Sequence, residues 1–84
     1  MNNLNQNELS HFIKSCFEKI MDFNIDDIHQ NFFMLGGNSI QALEIINLIN
    51  EKLNTDISIT DFFDALTPYK ISKFIHENIS IFTF

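Results

Sequence analysis

Apolar side chains recur near the start of the chain with the period of an α-helix. Leu9, Phe12, Ile13, Cys16, Phe17 and Ile20 stand at offsets of 3, 4, 7, 8 and 11 from Leu9 and form one continuous stripe. Asn5 and Glu8 have the spacing of a capping box, so the pattern predicts a first helix over roughly 6–21. From 22 to 38 no helical period survives, yet Ile25, Ile28, Phe32, Phe33 and Leu35 keep the segment rich in large apolar side chains. Leaving each of these in water would forfeit about 1.5–3 kcal/mol, which predicts a loop pinned onto the core. A connection of this length inside a small domain usually serves a function.

A second helical stripe follows at once. Ala42, Ile45, Ile46, Ile49 and Leu53 share a narrow arc, and Asn38 with Gln41 repeats the capping-box spacing, which puts Ser39 in the first turn. This helix should run to about Leu53 and stop near Asn54. Ser58 and Asp61 make a third capping box ahead of Phe62 and Phe63, with room for only one or two turns. Thr67 followed by Pro68 is a strong start signal for a last helix, whose stripe is Ile71, Phe74, Ile75 and Ile79. The expected fold is all-α: a small four-helix bundle of three main helices plus a short third one, with a long ordered loop between helices one and two. It forms a single domain over 1–84, with a polar lead-in at 1–6. The end, 79–84, alternates apolar and polar residues like a strand but has no partner strand. Frayed tail (80–84), start of a linker, or packing beside the first helix all remain open for it.

Composition narrows the function. Eleven acidic residues face five lysines and no arginine, for a formal charge of −6. Such a surface repels phosphate backbones and argues against nucleic-acid binding. It suits partners with basic docking faces, or it simply keeps a small domain soluble. The single cysteine, Cys16, lies on the first stripe and reads as a small core hydrophobe. His11, His29 and His76 have no ligand-spaced companions, so no metal site is expected. Asp26, Asp27, Asp61 and Asp64 read as loop solvation and helix N-terminal charges. With no secretory leader and no apolar run near ~20 residues, the expectation is a monomeric cytoplasmic protein without a membrane span.

The chemically informative stretch is Phe32-Phe33-Met34-Leu35-Gly36-Gly37-Asn38-Ser39-Ile40. Two glycines permit a sharp turn and remove bulk beside the residues that follow. A serine opening a helix then offers a hydroxyl near unpaired backbone N–H groups, where the helix dipole favours a phosphate. The pattern is neither a Walker loop, nor a dinucleotide fingerprint, nor a nucleophile elbow. Read by itself, it is more readily an ordinary turn and helix cap, because Gly-rich turns before helices are common.

The run from Asn31 to Ser39, an aromatic pair, Leu-Gly-Gly, a polar residue and Ser, resembles the attachment motif of peptidyl carrier (thiolation) domains of nonribosomal peptide synthetases. The resemblance continues through Ile40 and Leu43, and through Asp61-Phe62-Phe63 and Thr67-Pro68-Tyr69-Lys70-Ile71. It implies that Ser39 receives phosphopantetheine from coenzyme A through a phosphopantetheinyl transferase. The arm's thiol, not Cys16, would then hold an aminoacyl, peptidyl or aryl thioester for adenylation, condensation and thioesterase or other release domains. Leu35, Gly36, Gly37 and Asn38 support the motif; Asn38, where fatty-acid carriers have Asp, favours the peptidyl type. No residue is assigned a catalytic role. On the helical wheel Ile40 and Leu43 fall away from the buried arc, with Glu44 and Asn47 on the same outward side, and these four are the expected partner contacts. The alternative for Ile40 and Leu43 is that they tuck against the loop. The alternative for the whole chain is a non-catalytic helical docking module; an enzymatic Ser39 would need a base and an oxyanion hole to converge on it.

Overall fold

The computed structural model describes residues 4–79, so the tail at 80–84 lies outside the described residues. Four helices follow in order: α1 (Gln6–Met21), α2 (Ser39–Leu53), α3 (Ile59–Ala65) and α4 (Pro68–Asn78). Each begins where the local chemistry predicts. Asn5, Asn38 and Ser58 accept the N–H of Glu8, Gln41 and Asp61, and each of those side chains reaches back to the cap's own N–H. Thr67 Oγ1 accepts from the Lys70 N–H, with Pro68 in the first turn of α4. Such a cap satisfies donors that would otherwise be orphaned, at about 1 kcal/mol each. The helices α1, α2 and α3 stop on left-handed residues, Asp22, Asn54 and Leu66. Leu66 adopts φ 66° despite its side chain. Its carbonyl accepts the Phe32 N–H at 2.8 Å and its own N–H donates to Phe62 at 2.9 Å, which offsets a conformational cost of about 1–2 kcal/mol.

The bundle closes chiefly through α1 against α4, with α1 also touching α2 and α3 bridging α2 to α4. Leu9, Ile13 and Phe17 of α1 meet Ile45, Ile49 and Leu53 of α2 and Ile71 and Ile75 of α4 in the core. Small residues let α1 and α4 approach. Ser10 Oγ and Ser72 Oγ lie 2.6 Å apart in a buried contact, and each is also within donating distance of a carbonyl, of Gln6 and Tyr69 respectively. With one proton on each hydroxyl, one of the two donates across the pair while the other donates to its carbonyl.

The connection 22–38 is held at both ends and in the middle. Glu18 Oε2 accepts the Ile25 N–H at 2.8 Å while Lys14 Nζ donates to the Ile25 carbonyl at 2.9 Å and pairs with Glu18 at 3.3 Å. That backbone bond, ahead of Lys14, holds the Glu18 carboxyl below its ordinary range. Farther on, Tyr69 N–H donates to Ile28, and Phe32 N–H to Leu66, tying the loop to α4 and the end of α3. Ile25 and Phe32 are buried and Leu35 and Ile28 half-buried, so most of the pinning expected from the apolar pattern is present. Phe33 departs from it. Its ring is 48% exposed because it stacks on Phe63 of α3 (centroids 5.6 Å apart) rather than entering the core. The core position belongs to Phe32, whose ring meets those of Phe17 and Phe62 at 5.9 and 5.1 Å.

Candidate functional site

The turn into α2 is built by short backbone bonds. Asn31 Oδ1 accepts from the N–H groups of Phe33 and Met34, its carbonyl accepts from Leu35, and Gly36 and Gly37 donate to the carbonyls of Phe33 and Phe32. The two glycines are required for different reasons. Gly36 has φ 92°, a conformation open to glycine and strained for other residues, though its surroundings are empty. Gly37 has ordinary φ, but a β-carbon there would collide with the buried ring of Phe32. The loop therefore passes hard against the core just before it releases Ser39.

Ser39 opens α2 and is exposed. Its hydroxyl makes no hydrogen bond to another described residue. The Asn38 side chain takes the Gln41 N–H, which leaves the N–H groups of Ser39 and Ile40 without an acceptor among the described residues. No acidic side chain stands in the first turn to cancel the positive end of the helix. A phosphodiester on Ser39 Oγ would find open space, backbone donors and a favourable dipole, so the residues present fit a phosphopantetheine group.

The outward face beside Ser39 matches the helical-wheel expectation. Ile40 is 72% and Leu43 50% exposed, so neither tucks against the loop, and Glu44 and Asn47 are exposed with them. Three further large apolar side chains are exposed that the sequence reading did not single out as surface residues. Met34 is 86% exposed, and Phe33 and Phe63 (36% exposed) form the stacked pair that joins the loop to α3. A doublet of phenylalanines does not tell which ring goes inward; only the three-dimensional path decides it.

The other reactive side chains are placed elsewhere. Cys16 is buried, and burial pushes its thiol up to about 12 against the weaker opposing pull of Lys19 and Lys52. His29 packs on the Tyr69 ring, and His76 Nε2 lies 2.9 Å from the Leu4 carbonyl. Among the described residues no group of three His, Cys, Asp or Glu side chains gathers where a metal ion could be held. An open groove of about 360 Å³ runs between α3 and α4, lined by Asp61, Asp64, Lys70, Lys73, Phe74 and Glu77 among others, and it includes neither Ser39 nor a histidine. No helix among the described residues is long and apolar enough to cross a membrane.

The compact helical bundle, with the Ser39 hydroxyl exposed at the start of α2, has a counterpart among solved structures. The fold superposes on BlmI, a type-II acyl-carrier-protein from Streptomyces verticillus involved in bleomycin biosynthesis. The TM-score is 0.82, covering 88% of this chain and 89% of that one at 24% identity. The chain belongs to the phosphopantetheine attachment-site family, whose pattern matches residues 11–75, and its prosthetic group is phosphopantetheine. Among curated proteins it is 34% identical over 70 residues to gramicidin S synthase 2 of Brevibacillus brevis and 30% identical over 73 residues to bacitracin synthase 1 of Bacillus licheniformis. Those alignments cover 83% and 87% of this chain but only 2% and 1% of the synthases, so the likeness is to one carrier unit within each.

Proposed function

We propose that Ser39 is the attachment point and that the domain tethers an aminoacyl, peptidyl or aryl group for a nonribosomal peptide synthetase. The observation that carries this reading is the exposed, unpartnered Ser39 hydroxyl at the open N-terminus of α2, directly after a glycine turn pressed onto Phe32. A transferase would join Ser39 Oγ to the phosphorus that bears the pantetheine arm of coenzyme A, releasing the nucleotide bisphosphate and the serine proton. Once bound, the group supplies a terminal thiol able to hold the cargo as a thioester. The chain itself contributes presentation: α2 fixes the base of the arm, and the surface around it is offered in turn to adenylation, condensation and release domains. The domain is a substrate of these enzymes, working in the cytoplasm where coenzyme A is at hand, and catalyses nothing itself. The carboxylates and histidines are committed elsewhere or lie outside the turn, and none is hydrogen-bonded to Ser39.

Intact-protein mass spectrometry after incubation with coenzyme A and a broad-specificity phosphopantetheinyl transferase tests the reading. One added phosphopantetheine on the wild type and none on Ser39→Ala is the expected result. A folded wild type that gains no mass, beside a control carrier that does, would leave a helical docking module whose Gly-Gly-Asn-Ser only caps a helix.

A further inference from the structure

The sulfur atoms of Cys16, Met21 and Met34 fall within the described residues, and the fold treats them unequally. Cys16 and Met21 are buried in the core along α1. A thiol meets an oxidant as its thiolate, and burial pushes Cys16 up to about 12, so it keeps its proton at neutral pH. Met34 is 86% exposed, more than any other large hydrophobic side chain among the described residues. The turn holds it there. Asn31 Oδ1 accepts the N–H groups of Phe33 and Met34 at 2.8 and 3.2 Å, and the inward places on either side are filled by the buried Phe32 and the half-buried Leu35. Turning Met34 inward would displace one of them.

We propose that Met34 is a reversible oxidation site for hydroperoxides and that its sulfoxide slows attachment of the arm at Ser39. The Met34 thioether gives a lone pair to a peroxide oxygen. The S–O bond forms as the O–O bond breaks, and the sulfur loses the two electrons that reduce the peroxide. The proton of the transferred hydroxyl leaves with the departing hydroxide as water. A flexible apolar side chain thereby becomes a polar, chiral one, which methionine sulfoxide reductases convert back. Met34 stands in the turn that leads into Ser39, and an enzyme contact of about 800 Å² centred on Ser39 takes in that turn. A sulfoxide covered there must shed its water, a cost that the thioether does not carry. The proposal rests on Ser39 being the modified residue.

Peptide mass mapping of the folded apo-protein after hydrogen peroxide tests the first step. Met34 should gain one oxygen, about 16 Da, at least about tenfold faster than Met21. Equal rates at the two sites, or a Met34 that gains nothing, overturn the proposal. The second step is read from initial rates of phosphopantetheine addition at saturating coenzyme A with varied apo-protein. Oxidation should lower kcat/KM for the apo-protein by about fivefold, as expected for one polar group covered without a partner, and methionine sulfoxide reductase should restore it. Met34→Leu, compared with itself before and after peroxide, should show no change. The position is almost fully exposed, so this variant folds as the wild type does. Oxidised wild type that is modified at the untreated rate, or a slowing that Met34→Leu shares, overturns the proposal and leaves the carrier reading standing. An untreated wild type that is never modified ends both.

Discussion

Cys16 and Ser39 both carry a potential nucleophile, and their surroundings are opposite. Ser39 is exposed and unpartnered at a helix start, whereas Cys16 sits in the α1 stripe with its thiol pushed up to about 12. The raised value has a consequence for stability. The unfolded thiol ionises near 9 and the folded one near 12, so the folded chain holds a proton that the unfolded chain loses in between. The contribution is fully present below pH 9 and is lost as pH rises from 9 toward 12, at up to about 1.4 kcal/mol per pH unit. Urea unfolding of the wild type and Cys16→Ala across pH 8–11 checks it. The advantage of the wild type should shrink above pH 9; curves that stay parallel would show that Cys16 does not titrate differently in the two states. Both placements were legible in the sequence, since a stripe position and a helix-start position are local facts. The exposure of Phe33 and Phe63 was not, because a ring's direction depends on which neighbour reaches the core first.

At the scale of elements, the helix starts were readable because a cap is written within four residues. The fastenings between elements were not, and Asn50 shows why. From the last turns of α2 its Oδ1 accepts both the Thr55 hydroxyl and the Ile57 N–H at 2.8 Å, while its Nδ2 donates to the Ile57 carbonyl at 3.0 Å. One side chain thereby sets the path from α2 to α3, and no periodicity marks it as different from Asn47 three residues earlier. The clamp of Lys14 and Glu18 on Ile25 is equally silent, since its partner lies in a segment without repeat. Truncating Asn50 to Ala removes three hydrogen bonds and leaves polar groups of the buried Ile57 unsatisfied, for an expected loss of about 2–3 kcal/mol. Chemical denaturation measures it directly. A loss below about 0.5 kcal/mol would mean that water replaces the amide without penalty.

For the whole molecule, the question is whether the loop 22–38 belongs to the same cooperative unit as the helices. It has no repeat and makes up the longest connection, yet its large apolar side chains predict a segment pinned onto the core. The contacts agree. Phe32 is fully buried against Phe17 of α1 and Phe62 of α3, its N–H is held by Leu66, and its ring blocks any β-carbon at Gly37. Opening the loop would therefore empty the centre of the core. Hydrogen exchange should find the Phe32 and Ile25 amides as protected as those of Ile13 and Ile49, with the same dependence on denaturant, because all four open only on global unfolding. The His29 and Met34 amides, bonded near the surface to the side chains of Asp27 and Asn31, should exchange much faster. Rapid exchange at Phe32 with little response to denaturant would show a loop that lifts by itself. The distinction bears on the proposed function, since the loop supplies the turn that presents Ser39. If it opened independently, that geometry would exist for only a fraction of the time, and the apparent affinity of an enzyme that acts on Ser39 would fall by that fraction.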